Sequence, residues 1–389
     1  MRSDWRAVWV VLAAGLAAGA CMSKVPPALP ALRADLSLSI VQSGFVHTVM
    51  YVIGAAAGAF GGAAADRFGQ KRFALIGLAF MAVGGLLGAA APGYFVLLFS
   101  RFLEGIGFIL LTVSAAPLLV GATLPKDRPA AFSLWSCYMP TGGTLILLAA
   151  PLALATLGWR ALWIGLALYT VVCAFLLARW VPAPKFGGAI ASLRLLRESL
   201  GRPGLLLLCA GFMCYVGQWI SVMTWLPTFA VGERGASEGA AALLTAAFVA
   251  ANIPGNLLGG LLLARRMPRS LVMALGAAAM GLSSIALLSS GVPDTLRLAA
   301  LIAFSLLGGV IPACVFSGAP LHARSAQHAG TANGMIMQAS HLFQFSVPIV
   351  VAVVATRLGG WGASLGVMLA LSLAGVLAGI GVARYERRL

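Results

Sequence analysis

The chain has 389 residues, of which 61% are hydrophobic and 9% are charged. Soluble globular domains carry about 25% charged residues, so this composition excludes a water-soluble protein and favours one embedded in lipid. The formal charge of +16 does not indicate a nucleic-acid partner, because the Lys and Arg residues lie between apolar runs and do not form one basic face.

Twelve apolar runs are long enough to cross a bilayer, since a helix needs about 20 apolar residues to span about 30 Å of hydrocarbon. Short segments rich in Gly, Pro and charged residues separate them. The predicted spans are 5–32, 39–65, 72–91, 94–122, 130–154, 160–181, 204–231, 239–263, 270–289, 296–321, 330–356 and 362–383. The first run is longer than the apolar region of a signal peptide, so we expect a spanning helix there.

The distribution of basic residues predicts the orientation of the chain. With the N-terminus inside, nineteen Lys and Arg residues fall on the inner loops and tails and six on the opposite side. Inner loops of membrane proteins are enriched in Lys and Arg. We therefore expect a multi-pass protein of the cytoplasmic (inner) membrane with both termini in the cytoplasm.

The longest loop divides the spans into six and six. The predicted domains are an N-terminal six-helix bundle over 1–181, a cytoplasmic linker over 182–203 and a C-terminal six-helix bundle over 204–389. Within the linker, residues 192–200 place three leucines on one helical face beside two arginines, which favours an interfacial amphipathic helix. A plain solvated linker is the alternative.

The two halves show signs of duplication. A shift of 198 residues aligns the stretch 62–67 with 260–265 and places Lys71 opposite Arg269. Repeats of this kind are common in transporter folds, where the halves pack around a shared site.

The loop between the second and third spans carries the most specific motif. Residues 62–72 read Gly-Ala-Ala-Ala-Asp-Arg-Phe-Gly-Gln-Lys-Arg. The glycines permit close packing and a sharp turn, and the acid and bases place a charge cluster at the membrane rim. Such a cluster can hold one conformation and release another. The predicted conformational latch consists of Gly62, Asp66, Arg67, Gly69 and Lys71. Simple membrane anchoring would explain the bases but not the spacing of Asp66 and Gly69.

This loop resembles the signature Gly-x-x-x-Asp-Arg-x-Gly-Arg-Lys/Arg of the major facilitator superfamily, from which only Gln70 departs. The fourth span, with Arg101, Gly105 and Gly107, resembles the Arg-x-x-x-Gly-x-Gly pattern of that superfamily. Residues 134–143 and 158–160 are similar to its cyanate-permease branch. The resemblance implies an all-α integral membrane fold of two pseudo-symmetric six-helix bundles, which rock to expose a central cavity alternately to each side.

Ionisable side chains inside the spans are functional candidates, since each costs about 2.5–3.5 kcal/mol at mid-membrane. Glu104 is the only one of the ten acids that falls clearly inside a predicted span, so it is the leading candidate for the proton carrier. Arg101 lies three residues earlier on the same helical face, which predicts an ion pair that is either functional or purely structural. Lys24 would add a positive potential that attracts anions. Its alternative is to extend to the outer interface.

Other polar side chains in the spans can supply hydrogen bonds or protons to a substrate route. Gln338, His341 and Gln344 lie at three-residue steps, which places them on roughly one helical face. Helix–helix hydrogen bonding is the alternative for such residues. The remaining predicted members of the substrate or proton route are His47, Tyr138, Gln218, Trp219 and Asn252.

These features predict a secondary active transporter that moves a small anionic solute by alternating access, with a proton as coupling ion and no cofactor. A proton-driven multidrug exporter is one alternative. A Cu(I) transporter is another, suggested by Cys21, Met22, Met335, Met337 and His341. An enzyme is not predicted, because the sequence has no GxxxxGKS/T, HExxH or CxxC motif. The expected partners are a small-molecule substrate and membrane lipids, with no nucleic acid, and the expected state is a monomer.

Overall fold

The computed structural model describes residues 3–183, 201–323 and 329–387. Over these ranges the chain forms α-helices and one short 3-10 helix, without any β-strand. Twelve helical stretches of the described chain are long and apolar enough to cross a membrane. The all-α class and the number of spans are therefore confirmed. The predicted amphipathic helix at 192–200 lies outside the described residues.

Eight helices form the first half of the described chain. They are α1 Trp5–Ser23, α2 Val25–Leu36, α3 Ile40–Phe68, α4 Gln70–Ala89, α5 Tyr94–Ala122, α6 Arg128–Ser136, α7 Tyr138–Thr156 and α8 Gly158–Trp180. Seven more follow after the linker. They are α9 Pro203–Arg234, α10 Glu238–Ala264, α11 Arg269–Leu288, α12 Asp294–Gly308, α13 Val310–His322, α14 Ala329–Arg357 and α15 Leu365–Glu386.

Two of the twelve spans are built from two helices each, with the fifth interrupted at Cys137 and the tenth at Gly309. A third interruption, at Lys24, divides the predicted first span 5–32 into α1 and α2. Each interruption lies two or three residues before a proline. Proline lacks the N–H that would bond to the carbonyl four residues earlier, and its ring clashes with that carbonyl. From the sequence we predicted one spanning helix over 5–32, although its prolines are visible there.

Side-chain caps fix several helix starts. The Asp4 carboxylate accepts a hydrogen bond of 3.1 Å from the Ala7 amide at the start of α1. Ser39 and Gln42 form a reciprocal capping box at the start of α3. Such caps satisfy amide donors that have no partner within the helix.

Contacts between Cα atoms group the chain into two compact units. Unit 1 comprises Met1–Ala131, Tyr138–Ser199 and Ala323–Gln338. Its helices α4 and α5 cross at Gly77 and Gly107. A Cβ atom on Gly77 would lie 2.7 Å from the Gly107 carbonyl oxygen, so this crossing requires glycine. In the same unit, Lys71 at the start of α4 donates a 2.8 Å hydrogen bond to the Ala178 carbonyl near the end of α8.

Unit 2 comprises Phe132–Cys137, Leu200–His322 and Ala339–Leu389. At one end of it, Glu386 Oε1 lies 2.9 Å from both Arg269 Nε and His322 Nε2. Arg269 at the start of α11 thus contacts the end of α15, as Lys71 contacts the end of α8 in unit 1. The predicted equivalence of Lys71 and Arg269 corresponds to this shared arrangement. The predicted domain boundaries at 181/182 and 203/204 stay a prediction.

Candidate functional site

A buried cluster of three charged side chains lies inside unit 1. Lys24 Nζ is 2.5 Å from Glu104 Oε1, and Arg101 forms an ion pair with Glu104 Oε2. All three side chains are 0% exposed to solvent. The alternative in which Lys24 extends to the outer membrane interface does not describe this structure. We call Lys24, Arg101 and Glu104 the charged triad.

The interruption of the first span positions two members of the charged triad. Lys24 occupies the break between α1 and α2. One turn earlier, the Cys21 carbonyl accepts a 3.0 Å hydrogen bond from Arg101 Nη1. On its other side, the Arg101 guanidinium contacts the Val46 carbonyl and the Met50 sulfur of α3. The guanidinium is therefore fixed by three helices, and its nearest charged partner is Glu104.

Glycines on α4 provide the space that the triad occupies. A Cβ atom on Gly84 would lie 2.8 Å from Glu104 Cγ, and one on Gly88 would lie 2.9 Å from Trp163 Cδ1. Trp163 of α8 closes this space, and Lys24 Nζ lies 4.4 Å from the centre of its ring. The ammonium of Lys24 is thus held between a carboxylate and an aromatic face.

The charged triad carries a net charge of +1, since two bases surround one ionised acid. Such a charge is costly in a low-dielectric interior, and removal of one partner of a buried ion pair costs about 3–5 kcal/mol. An anion that reached Lys24 and Arg101 would meet two donors already desolvated and oriented. The cluster is therefore suited to bind an anion if Glu104 gives up its role as the partner of these bases.

The predicted latch residues divide into two groups. Asp66 is 2% exposed, and its carboxylate accepts hydrogen bonds from the Gly330 amide, the Thr331 amide and the Thr331 hydroxyl at the start of α14. Gly62 lies beside this helix end, where a Cβ atom would be 2.2 Å from the Gly330 carbonyl oxygen. These two residues therefore contact the first turn of α14.

The bases of the motif make other contacts. Arg67 is exposed, with its guanidinium 5.0 Å from the centre of the Phe68 ring, and Lys71 bonds to the end of α8. Gly69 has φ of +99° and joins α3 to α4, which explains the glycine of the motif. Gln70, where the motif has Arg, donates a 3.0 Å hydrogen bond to Asp66. Among the described residues, the Asp66 carboxylate is thus held by amides and a hydroxyl.

A network of polar side chains crosses the interior of unit 2. Asn252 Oδ1 accepts hydrogen bonds from the Tyr215 hydroxyl at 3.1 Å and from Asn256 Nδ2 at 2.7 Å. Asn252 Nδ2 donates at 2.8 Å to the Ser305 carbonyl, and Trp219 Nε1 donates at 3.0 Å to the Ser305 hydroxyl. The predicted residues Trp219 and Asn252 thus belong to one network, which joins α9, α10 and α12.

The other predicted route residues make different contacts, and His47 lies within the electrostatic reach of Arg101. Gln218 accepts a 2.8 Å hydrogen bond from Ser372, which ties α9 to α15. Gln338 accepts a 3.1 Å bond from the Ala59 amide. His47 packs edge-on against Tyr51, and both Tyr138 and His341 are buried. No group of three or more His, Cys, Asp or Glu in the described part of the chain could hold a metal ion.

Comparison with protein families decides the class of protein. The family described as Major Facilitator Superfamily matches residues 11–348. The chain belongs to the major facilitator superfamily. Membership of this family points to a transporter and not to an enzyme, as predicted. Its assignment to the cyanate-permease branch stays a prediction.

Curated relatives include a transporter and a resistance protein. The chain is 30% identical to the 3-(3-hydroxy-phenyl)propionate transporter of Escherichia coli over 240 residues, 59% of this chain and 55% of the relative. It is 30% identical to the puromycin resistance protein pur8 of Streptomyces alboniger over 215 residues, 54% of this chain and 41% of the relative. These matches cover about half the length of the relatives.

Solved structures of the superfamily share the fold over almost the whole chain. The fucose:proton symporter FucP of E. coli aligns with a TM-score of 0.81 at 16% identity, over 98% of this chain and 99% of FucP. The human organic anion transporter MFSD10 aligns with a TM-score of 0.79 at 16% identity, over 98% of this chain and all of MFSD10. At this identity the likeness shows the major facilitator fold.

Sequence reasoning missed several residues that complete these sites. Trp163 lies beside Lys24, Thr331 donates to Asp66, and Tyr215 and Ser305 belong to the network of Asn252. Only Thr331 offered a signal, because a hydroxyl residue near a helix start often takes part in capping. The partners of the others are distant in sequence, so local spacing gives no signal for them.

Proposed function

We propose that this superfamily member transports a small organic anion together with protons and that the charged triad couples the two. The observation that carries the proposal is the position of Glu104, a buried acid whose two oxygens are each bonded to a different buried base. The termini face the cytoplasm, in accordance with the nineteen-to-six distribution of basic residues.

Compensation of charge between the proton and the anion provides the coupling. With Glu104 ionised the triad carries +1, and with Glu104 protonated it carries +2. A monovalent anion bound by Lys24 and Arg101 restores +1, so the anion and the proton each make the entry of the other less costly. Two ligands that favour each other's binding in this way are thermodynamically coupled, and the coupling is reciprocal.

Carboxylates are the favoured class of anion. Arg binds a carboxylate through two parallel N–H donors, and Lys adds a point charge. The relatives include a transporter named for 3-(3-hydroxy-phenyl)propionate and a probable 4-methylmuconolactone transporter from Cupriavidus pinatubonensis. We therefore assign a small organic carboxylate as the substrate.

The predicted latch controls the conformational change. Asp66 and Gly62 bind the start of α14 in the described conformation, and their release would free that helix. Transporters with this fold work by alternating access, which requires two packings of similar energy. The Asp66 contact stabilises one of them.

The test is solute-driven proton movement in proteoliposomes, measured with a panel of small carboxylates and with the variants Glu104→Gln and Glu386→Gln. Glu386 is the matched control, because it is an ion-paired acid of unit 2 that lies outside the charged triad. We expect a carboxylate to drive proton uptake in the wild type and in Glu386→Gln. Glu104→Gln should lose proton movement and keep solute counterflow.

Two results would overturn the proposal. If no carboxylate moves protons in the wild type, the substrate class or the coupling ion is wrong. If Glu104→Gln couples as well as the wild type does, the charged triad has only a structural role.

Export of apolar drugs is a second candidate, favoured by two observations. An apolar cleft in unit 2 is lined by aromatic and aliphatic side chains that include Trp225, Phe229, Trp361 and Met368. The relatives include resistance proteins for puromycin and methylenomycin A. In the same assay, proton movement driven by lipophilic cations and not by carboxylates would favour the exporter.

A further inference from the structure

Lys24 has two different partners in the interior of unit 1. Its ammonium lies 2.5 Å from the Glu104 carboxylate and 4.4 Å from the centre of the Trp163 ring. Trp163 is itself 0% exposed, so this cation–π contact is made without competing water. Such contacts are strongest when they are desolvated, and Trp provides the strongest aromatic face.

The proposed coupling would fail if Lys24 gave its own proton to Glu104. When Glu104 takes up a proton, Lys24 loses its ion pair while it remains in a low-dielectric interior. The proton that neutralises Glu104 can come from the aqueous phase, or it can come from Lys24 itself. In that internal transfer the Nζ–H bond breaks, an O–H bond forms on Oε1, and a neutral amine and a neutral acid result. No proton would be taken from the aqueous phase, and solute would move uncoupled.

The described neighbours of this pair decide between the two outcomes. Arg101 forms an ion pair with the other oxygen of Glu104. The Cys21 thiol also lies within the electrostatic reach of Glu104. The Trp163 ring faces the Lys24 ammonium with a negative potential that persists after Glu104 is neutralised.

We infer that Trp163 is a positioning residue that keeps Lys24 protonated while Glu104 takes a proton from the aqueous phase. It would thereby set the number of protons moved per solute. This inference rests on the proposed function. It adds a residue on α8 to the coupling machinery, although that residue neither ionises nor forms a hydrogen bond with the triad.

The experiment measures the ratio of protons to solute in proteoliposomes for the wild type, Trp163→Leu, Trp163→Phe and Trp159→Leu. Trp159 is the matched control, because it lies on the same helix with its ring 5.4 Å from that of Trp163 and bonds to Asp35. We expect Trp163→Leu to lower the ratio at least twofold and Trp163→Phe to keep most of it. Trp159→Leu should retain the wild-type ratio.

A second measurement separates the electrostatic role from simple packing. Site-specific replacement of Trp163 by mono-, di- and trifluorinated tryptophan weakens the aromatic face in steps while it preserves the shape of the ring. We expect the proton-to-solute ratio to fall with each added fluorine. This series remains informative even if Trp163→Leu does not fold.

The inference is overturned if the wild type couples protons to a carboxylate and the fluorinated series leaves the ratio unchanged. In that case the proposed function stands and Trp163 only fills space. If the wild type moves no protons with any carboxylate, the proposed function fails first, and the role of Trp163 in coupling fails with it.

Discussion

Asp66 caps the first turn of α14, where it binds Gly330 and Thr331. One carboxylate oxygen accepts a 2.7 Å hydrogen bond from the Thr331 amide and a 2.6 Å bond from its hydroxyl, and the other accepts a 3.0 Å bond from the Gly330 amide. An acid in a loop of such a chain could have been only one of several charges at the membrane rim. Asp66 instead satisfies backbone donors that a helix start leaves free.

Removal of this cap should loosen the first turn of α14. A lost N-terminal cap costs about 0.5–2 kcal/mol. We therefore expect amide hydrogen exchange in a peptide that covers residues 329–340 to become about tenfold faster in Asp66→Ala, since 1.4 kcal/mol corresponds to a factor of ten. Asp127→Ala is the control, because Asp127 bonds to Ser3 elsewhere in unit 1. Equal exchange in both variants would show that the cap contributes nothing.

Two neighbouring glycines allow a matched test of packing against α14. A Cβ atom on Gly62 would lie 2.2 Å from the Gly330 carbonyl oxygen, whereas a Cβ atom on Gly61 would meet nothing within 4 Å. Gly62→Ala should destabilise the described conformation by about 1–3 kcal/mol through overpacking. Gly61→Ala should stabilise the helix by up to about 1 kcal/mol. Thermal unfolding in detergent measures both, and similar melting temperatures would contradict the described contact.

Asp35 should make stability depend on pH at the acid end. The ion pair with Arg160, and then the 3.0 Å hydrogen bond from Trp159 Nε1, hold the pKa of Asp35 below its ordinary value. The contribution to stability is therefore complete above the unfolded pKa of about 3.9 and is lost as the pH falls through the lower folded value. We expect Asp35→Asn to melt below the wild type at pH 7.

The same comparison in acid provides the check on Asp35. Below the folded pKa the wild-type carboxyl is neutral, like the amide of the variant, so the difference in melting temperature should disappear. A difference that stays constant from pH 7 to pH 3 would show that Asp35 acts through packing and not through its charge.

The polar network of unit 2 should contribute to stability in proportion to the bonds that Asn252 makes. Asn252→Leu leaves the Tyr215 hydroxyl without its acceptor and the Ser305 carbonyl without one donor. Hydrogen bonds between membrane helices average about 0.6 kcal/mol, with a maximum near 1.7 kcal/mol. We expect a loss of about 1–3 kcal/mol in the free energy of unfolding, measured by denaturation in mixed micelles.

A control on the same helix separates this network from ordinary polar substitution. Thr245 of α10 donates its hydroxyl to the Ala241 carbonyl of its own helix, at 2.8 Å. Thr245→Val should therefore change stability by less than about 0.5 kcal/mol. If Thr245→Val costs as much as Asn252→Leu, the interhelical bonds carry no special weight.

The number of spans and the family were accessible from sequence because both depend on local patterns. Runs of apolar residues give the spans, and the spacing of Asp66, Gly69 and Lys71 gives the family. The pairing of Arg101 with Glu104 was also predictable, since three residues on a helix share one face. These features need no knowledge of which helices pack together.

The partners of Lys24 were not predictable in the same way. Its choice between the membrane interface and the interior depends on Glu104, 80 residues away, and on space opened by the glycines of α4. The partners of Gln338, His341 and Gln344, which were predicted to share one helical face, were also not predictable. Gln344 bonds to Ser340 of its own helix, while Gln338 bonds to α3. Local spacing identifies a face but not the helix that covers it.

The location of Lys24 also has a consequence for how the protein is made. The lysine leaves the ribosome 80 residues before Glu104, and at about 5–20 residues per second this leaves an interval of about 4–16 seconds. During that time the first span must enter the membrane with a lysine that has no acidic partner. Arg101 and Glu104 then arrive together as a neutral pair. Biogenesis of the N-terminal half thus passes through an intermediate in which Lys24 has not yet formed its ion pair with Glu104. We expect the first span of Lys24→Met to insert more readily than that of the wild type.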